Sequence, residues 1–139
     1  MERVTITLRA TIKAPVETVW KCWTSPEHIT GWNAASDDWH TRHATNDLRA
    51  GGKFNSRMEA RDGSEGFDFW GIYDEVVHHK KLDSTLGDGR KLTISFTPVG
   101  NTTEVVESFE TEDQNSHELQ RAGWQAILDN FVKYTEALV

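Results

Sequence analysis

The sequence predicts an α+β fold, in which an antiparallel sheet is covered on one face by a long C-terminal helix. Between Asp38 and Phe109 nearly every segment alternates apolar and polar residues, as strands do. From Asn115 to Leu138 the apolar residues instead recur at helical spacing. A sheet of strands with short connections is antiparallel and leaves one face in water. We expect the helix to cover the other face.

The amino-terminal segment predicts the first strand. Residues Val4 to Lys13 alternate between apolar and polar side chains, which is typical of a strand with one buried face. We expect that face to carry Val4, Ile6, Leu8, Ala10 and Ile12.

Two short helices are predicted after this strand. The first would begin with Pro15 at its first position, where a helix tolerates proline. The second would begin with Ser25 as its cap, followed by a proline and an acid, and would stop at Gly31. The apolar face of the first helix would contain Val16, Val19, Trp20 and Trp23.

The middle of the chain predicts a series of strands, of which residues 54–58, 67–77 and 91–96 are the clearest. Glycine-containing turn signals at 51–52, 62–64, 87–89 and 100–101 separate them. These glycines fit hairpin turns rather than a phosphate-binding loop. Whether Phe54, Ser56 and Met58 or Asn55, Arg57 and Glu59 face the interior is left open, because alternation alone does not fix the buried side.

The terminal helix carries a glycine inside its apolar stripe. Asn115 is expected to cap the helix, with Glu118 completing a capping box. Gly123 costs about 1 kcal/mol relative to alanine in a helix, so its presence indicates a need for room. The expected stripe is Leu119, Ala122, Gly123, Ala126, Ile127, Asn130, Tyr134 and Leu138, widened by Trp124, Leu128 and Phe131.

Composition predicts one domain over residues 1–139 and excludes several classes of partner. The net charge is −7, and no segment concentrates Lys and Arg, so nucleic acid and anionic membrane surfaces would be repelled. No apolar stretch approaches the ~20 residues that span a bilayer, and the amino terminus lacks a signal-peptide core, so membrane insertion is not expected. The single cysteine, Cys22, fits a reducing compartment. We expect a cytoplasmic protein.

Metal and nucleophile chemistry find little support in the spacing of the residues. His40 and His43 are expected on opposite faces of a strand, and adjacent His78 and His79 likewise, so no metal site is predicted. Cys22 has no histidine placed by sequence to activate it. No cofactor is expected.

Five segments resemble a known family: residues 14–20 (APVETVW), 23–32 (WTSPEHITGW), 51–54 (GGKF), 71–77 (GIYDEVV) and 123–131 (GWQAILDNF). Together they resemble the activator of heat-shock protein 90 ATPase homologue-like family, within the START-like, polyketide-cyclase-like (SRPBCC) superfamily of bacterial and other proteins. The resemblance covers essentially the whole chain. It implies a helix-grip fold, in which a curved antiparallel sheet wraps the C-terminal helix and encloses a ligand cavity.

The cavity that the resemblance implies would be lined mainly by aromatic and apolar groups. The chain has six tryptophans, and every segment that carries one is expected to border the space between sheet and helix. Trp20 and Trp23 are expected in the core, whereas the pattern leaves Trp32, Trp39 and Trp124 open between core and cavity wall. The candidate ligand-binding residues are Trp32, Trp39, His40, Phe54, Met58, Phe69, Ile94, Glu107, Gly123, Trp124 and Ile127.

One candidate is an acid on an apolar strand. If Val105 and Phe109 face the interior, alternation brings Glu107 inside with them. A buried carboxylate must be paired, be neutral or face a wet cavity, and Arg57 or His40 is a possible partner. The alternative is an ion pair on the exposed face of the sheet, because charges are rarely buried.

Three functional classes follow. The first is a protein that binds a small, mainly apolar or aromatic molecule. The second is a cyclase- or hydrolase-type enzyme that uses pocket acids and His40; Asp37 and Asp38 precede that histidine, although adjacent acids in an irregular segment are more often turn residues. The third is a co-chaperone of heat-shock protein 90. It ranks last, because the family is named after a eukaryotic regulator in which a separate amino-terminal domain carries much of the chaperone contact, and this chain resembles the other module alone. Convergence of Glu107, Arg57, Asp38 and His40 would favour the enzyme, and an apolar cavity with few polar groups would favour binding.

Overall fold

The computed structural model describes residues 3–139, and its architecture confirms the α+β, helix-grip prediction. Seven strands form one curled antiparallel sheet in the order β1-β7-β6-β5-β4-β3-β2, and three helices cover its inner face. The elements in chain order are β1 (Thr5–Ile12), α1 (Val16–Thr24), α2 (Pro26–Trp32), β2 (Trp39–Asn46), β3 (Lys53–Ala60), β4 (Gly66–Val77), β5 (Lys81–Leu86), β6 (Lys91–Val99), β7 (Thr102–Glu110) and α3 (His117–Glu136).

The alternation of the strands determines which face of the sheet is buried. Strand β7 alternates throughout, with Val105, Glu107 and Phe109 buried. In β3 the buried residues include Ser56 and Met58, which settles the face that the sequence left open. In β1 the expected residues Ile6, Leu8 and Ile12 are buried, Ala10 is partly buried, and Val4 lies before the strand and is 42% exposed.

Strand β2 contains a bulge that changes the facing of its histidines. The register shifts between Thr41 and His43, so that His40 pairs with Glu59 and His43 with Arg57. Glu59 and Arg57 both point outward, and both histidines therefore lie on the outer face. The prediction that they point to opposite faces is wrong, because a bulge inserts one residue and resets the alternation.

A tight turn accounts for a second wrong prediction of facing. His79 has φ of 64°, in the left-handed region, and the rings of His78 and His79 stack with centroids 3.8 Å apart. The two side chains lie together beside Trp20 instead of on opposite faces.

The strand that carries Trp70 borders the space between sheet and helix as expected, but Trp70 itself points to the outer face of the sheet. It lies on β4 at a position 38% exposed, and the Lys53 ammonium nitrogen lies 4.7 Å from its ring centroid. Its neighbours along the strand, Phe69 and Gly71, take the inward positions. The aromatic run 67–77 thus contributes to both faces of the sheet.

The helix boundaries differ from the predictions by one or two residues, the larger difference being the end of α3 at Glu136 instead of Leu138. Pro15 is the N-cap of α1 instead of its first residue, and α2 ends at Trp32 instead of Gly31. Helix α3 is capped by Ser116, whose hydroxyl oxygen accepts the Leu119 amide. Asn115 instead donates to the Glu112 carboxylate, so the predicted capping box is not formed.

The buried stripe of α3 is rotated relative to the predicted one. Its fully covered residues are Gln120, Leu128, Phe131 and Thr135. Leu119 and Leu138 are 59% and 52% exposed, and Ala122 is also exposed. Helical spacing leaves the phase of a wide stripe uncertain, and the contact with the sheet determines it. None of the helices within residues 3–139 is long and apolar enough to cross a membrane.

Candidate ligand-binding cavity

A cavity of about 500 Å³ lies between the inner face of the sheet and the amino-terminal half of α3. The sheet supplies one wall through the inward side chains of β2 to β7. The three helices, residues 33–36 and the segment before α3 supply the rest. The lining includes Trp23, Ile29, Trp32, Trp39, Phe54, Met58, Phe67, Phe69, Tyr73, Leu82, Leu92, Ile94, Glu107, Gly123, Trp124 and Ile127.

Gly123 contributes open space to this cavity. A Cβ atom added at this position would meet no atom within 4 Å beyond its own helix backbone and chain neighbours. The glycine therefore does not permit a close approach between backbones. Gly123 instead leaves empty the volume that a side chain would occupy, which agrees with the need for room that its place in the apolar stripe predicted.

Trp124 lines the cavity from the helix side, next to Gly123. Its ring stacks on Phe109 of β7, with centroids 4.1 Å apart and planes 9° apart, and meets Phe69 edge-on at 5.8 Å. Phe109 is fully buried, whereas Trp124 is only partly buried. One face of the indole is thus used for packing, and the residue also borders the cavity.

Aromatic rings continue along the side formed by β2, β3 and β4. Phe54 lies 5.1 Å from the Tyr73 ring and 6.2 Å from the Phe69 ring. The ring centroids of Trp39 and Phe67 lie 5.9 Å apart, and Phe67 is 49% exposed. Both residues line the cavity, Trp39 half-buried and Phe67 exposed to solvent.

Glu107 lies in the floor of the cavity. Its neighbours across the sheet are Leu8 on β1 and Ile94 on β6, and its side chain is almost fully buried. Within residues 3–139 no hydrogen bond or salt bridge reaches its carboxyl group. Burial without a partner raises the pKa of this carboxyl to about 8, because the charged form loses its hydration.

Several other polar groups that line the cavity are bonded within the protein. The Tyr73 hydroxyl donates to the Asn46 side-chain oxygen at 2.6 Å, and the Asn46 amide donates to the Thr24 carbonyl. Asn33 donates to the Ser56 hydroxyl, and Ser84 to the Leu92 carbonyl. Burial raises the pKa of Tyr73 to about 12, so that its hydroxyl stays neutral.

One end of the cavity is closed by the segment before α3. The Gln120 side chain accepts the Glu112 amide and donates to the Glu112 and Asn115 carbonyls, which holds this segment against the helix. Arg90 lies at the same end, where its guanidinium donates to the Asp88 carboxylate and the Glu110 carbonyl. These groups are all engaged in structural contacts.

The structure brings together most of the residues that the sequence singled out. Ten line the cavity: Trp32, Trp39, Phe54, Met58, Phe69, Ile94, Glu107, Gly123, Trp124 and Ile127. His40 does not, because it pairs with Glu59 on the outer face. That the ten contact a ligand stays a prediction.

The expected partners of Glu107 lie elsewhere. Arg57 points outward, 2.9 Å from Glu59 and 3.7 Å from Asp68. Asp38 is exposed and accepts a hydrogen bond from Ser36. Across residues 3–139, no group of three His, Cys, Asp or Glu side chains is placed to hold a metal ion. The group of polar side chains that would favour catalysis therefore does not form around Glu107.

Several lining residues were not among the sequence candidates. Trp23 was assigned to the core, but it also borders the cavity, and Phe67 and Tyr73 share the facing of Phe69. Alternation within β4 would have identified Phe67. Tyr73 could have been found in the same way, since it lies before the register shift between Tyr73 and Glu75.

Comparisons with known proteins give a family and a fold. The family model described as Activator of Hsp90 ATPase homolog 1-like protein matches residues 13–136. The solution structure of an AHSA1-like protein from Aeromonas hydrophila is 42% identical, with a TM-score of 0.91, over 97% of this chain and 94% of the other. A solution structure from Cytophaga hutchinsonii is 51% identical, with a TM-score of 0.83, over 96% and 92%.

A more distant structure shows the fold alone. A crystal structure from Chromobacterium violaceum is 23% identical, with a TM-score of 0.86, over 96% of this chain and 98% of that one. Among curated proteins, no match to the chain is found.

Proposed function

The chain belongs to the Activator of Hsp90 ATPase homolog 1-like family, and from that premise we propose that it binds a small, mainly apolar or aromatic molecule in the cavity under α3. The START-like fold supports a ligand-binding domain in general. The choice of an apolar ligand rests on the side chains of this chain.

The observation that carries the proposal is the cavity itself. Its volume of about 500 Å³ falls within the range of roughly 300–1,000 Å³ that small-molecule sites occupy. Its walls are mainly aromatic and aliphatic, and most of the polar side chains among them are bonded to the protein. An apolar wall with few free polar groups favours uptake of an apolar molecule, since its burial removes apolar surface from water.

The cyclase or hydrolase alternative receives less support. It required acids and His40 within hydrogen-bond reach of one another. Arg57, Asp38 and His40 instead lie on the outer face or in exposed segments, away from Glu107. That set of residues therefore gives no basis for proposing a reaction.

A chaperone partner likewise lacks a supporting observation. Such a partner would need a contiguous exposed apolar patch. The large apolar side chains exposed in residues 3–139 are spread over β4, β6, α3 and the chain ends, and the two that share a strand, Phe67 and Trp70, lie on opposite faces of it. They are Val4, Phe67, Trp70, Val99, Leu119, Leu138 and Val139.

Amide-shift mapping tests the binding proposal. Fatty acids, flavonoid-like aromatics and polyketide-like compounds would be titrated into isotope-labelled protein. We expect at least one class to shift the amides of Met58, Glu107, Gly123 and Trp124 together. Absence of shifts there at about millimolar ligand would contradict the proposal, because a millimolar dissociation constant corresponds to only about 4 kcal/mol of binding free energy.

A pair of leucine substitutions provides the matched control. Gly123→Leu places a side chain in the open space of the cavity, whereas Ala122→Leu places the same side chain on the exposed face of α3. We expect the first variant to remain folded and lose the shifts, and the second to retain them. Equal binding by both variants would place the ligand outside the cavity.

A further inference from the structure

Glu107 is the buried carboxyl group of the cavity, and the protein leaves its hydrogen-bonding capacity unused. Its side chain is 6% exposed and borders the cavity, and within residues 3–139 it has no hydrogen-bond or ion-pair partner. A buried polar group without a partner is costly, and folded proteins rarely retain one. The cost suggests a partner that comes from outside the chain.

The surroundings of Glu107 are apolar in every direction along the sheet. Leu8 and Ile94 flank it across the strands, and Val105 and Phe109 flank it along β7. The α3 residues that border the same cavity are apolar as well, apart from Gln120, whose amide is fully engaged with the segment before the helix. Water in the cavity, or a bound molecule that displaces it, is therefore the available source of a hydrogen-bond partner.

The protonation state of the carboxyl fixes the kind of partner. Its pKa of about 8 keeps it protonated at neutral pH. A protonated carboxyl carries one O–H donor and needs an acceptor, whereas a carboxylate only accepts. The neutral form thus complements a ligand oxygen that bears no charge.

We propose that Glu107 anchors the ligand by donating its carboxyl proton in a hydrogen bond to an uncharged acceptor, so that the cavity prefers aromatic molecules with a carbonyl oxygen over the corresponding hydrocarbons. The inference rests on the proposed function, since it assigns a ligand class to the same cavity. The proton stays on the carboxyl oxygen, and no covalent bond changes.

Charged ligands fit the cavity less well. An ammonium group beside Glu107 would require both charges to lose their hydration in an apolar space, and their attraction rarely repays that cost. An anion would need a free cation, but the Arg90 guanidinium is already bonded to Asp88 and Glu110. A neutral acceptor avoids both costs.

The pH dependence of such binding can be assigned to Glu107. The inner positions of β1 and β6 beside it are Leu8 and Ile94, and α1 and α2 present Trp23, Ile29 and Trp32 to the cavity. The other titratable lining groups are Tyr73, bonded to Asn46, Arg90, bonded to Asp88, and Glu112, whose carboxylate accepts the Gln114 and Asn115 amides. The remaining lining residues do not titrate.

The test compares two probes of the same shape, 2-acetylnaphthalene and 2-ethylnaphthalene, which are uncharged at every pH used. Their affinities would be measured by calorimetric titration at about pH 6.5 and about pH 9, on either side of the Glu107 pKa. The proteins would be the natural chain, Glu107→Gln, Glu107→Leu and the control Glu104→Gln. Glu104 lies on the outward face of the same strand, paired with Arg9.

The natural chain should bind the ketone several-fold more tightly than the hydrocarbon at the lower pH, as expected for one hydrogen bond. Ketone affinity should fall about tenfold at the higher pH, where the donor is mostly ionised. Glu107→Gln keeps an N–H donor, so its preference should persist at both pH values. Glu107→Leu should bind the hydrocarbon more tightly than the ketone, because the ketone oxygen would be buried without a donor. Glu104→Gln should behave as the natural chain.

The outcomes separate the inference from the proposed function. Equal affinities for the two probes at both pH values would overturn the role of Glu107 while leaving the cavity as a binding site. Tighter ketone binding at the higher pH would also overturn it. If neither probe shifted the Gly123 and Trp124 amides at about millimolar concentration, the proposed function would fail and the inference with it.

Discussion

The two halves of α3 cover the same sheet in different ways. In the carboxyl-terminal half, Leu128, Phe131 and Thr135 are buried to within 1% of complete coverage. In the amino-terminal half, Gly123 and Trp124 are only partly covered and border a cavity of about 500 Å³. The same helix thus packs into the core at its carboxyl-terminal end and borders a cavity at its amino-terminal end.

The difference comes from what lies between helix and sheet. Under the carboxyl-terminal half, Phe131 meets the rings of Trp23 and Trp32 at 4.7 and 4.8 Å, and these rings belong to α1 and α2. Residues 120–127 have no such helix beneath them. The side chains of α1 and α2 therefore fill the space between the sheet and the carboxyl-terminal half of α3. Trp23 and Trp32 form the boundary between core and cavity.

Removing a ring from the packed half should have the largest effect. Phe131→Ala deletes a fully buried aromatic group that contacts two tryptophans, and we expect it to lower the free energy of unfolding by about 3 to 5 kcal/mol. Urea denaturation followed by fluorescence would measure this change. A loss below about 1 kcal/mol would mean that the carboxyl-terminal half is loosely packed.

The second effect concerns the acid under the open half. The folded pKa of Glu107 is raised to about 8 from an ordinary 4.5, so the folded state holds its proton where the unfolded state has lost it. This stabilisation is present in full below the ordinary pKa and is lost as pH rises through about 8. Between about pH 5 and pH 8, the free energy of unfolding should fall by about 3 kcal/mol more than in Glu107→Gln.

The outward acid on the same strand provides the control for that prediction. Glu104 is exposed and paired with Arg9, so Glu104→Gln should show the same pH dependence as the natural chain. If the free energy of unfolding of Glu107→Gln and of the natural chain changed with pH in parallel, the Glu107 carboxyl would be ionised in the folded state. That result would contradict its burial among apolar side chains.

Trp124→Ala should cost less than Phe131→Ala, although tryptophan is the larger side chain. The substitution removes the stack on Phe109, but part of the indole borders the cavity and has no packing partner there. We expect a loss of about 2 kcal/mol in urea denaturation. A loss as large as that of Phe131→Ala would show that the space beneath Trp124 is filled.

The smallest effect compares two helical glycines. Gly123→Ala adds a methyl group in open space and should stabilise the protein by about 0.5 to 1 kcal/mol through helix propensity. Gly31→Ala in α2 would bring its Cβ within 2.5 Å of the Tyr134 ring, on the packed side, and should not stabilise. Thermal unfolding of both variants would show the contrast, and a destabilised Gly123→Ala would indicate close packing at the amino-terminal half.

The sequence predicted the fold well because alternation and helical spacing are local signals. It also identified Gly123 and Glu107, since a glycine in an apolar stripe and an acid on an apolar strand each break a pattern. His40 was assigned to the cavity wrongly, because Trp39 beside it takes the inward position and adjacent residues of a strand face opposite sides of the sheet. Arg57 was misplaced as a partner of Glu107, since the buried side of β3 depends on tertiary contacts.

Xenon binding tests the contrast between the two halves most directly, since xenon enters dry apolar cavities and requires no hydrogen bond. Amide and methyl shifts would be recorded under increasing xenon pressure on labelled protein. The account predicts shifts concentrated on Ile94, Gly123, Trp124 and Ile127, with Leu128 and Phe131 unaffected. Shifts absent from the first group, or equal in both groups, would contradict a cavity confined to the amino-terminal half of α3.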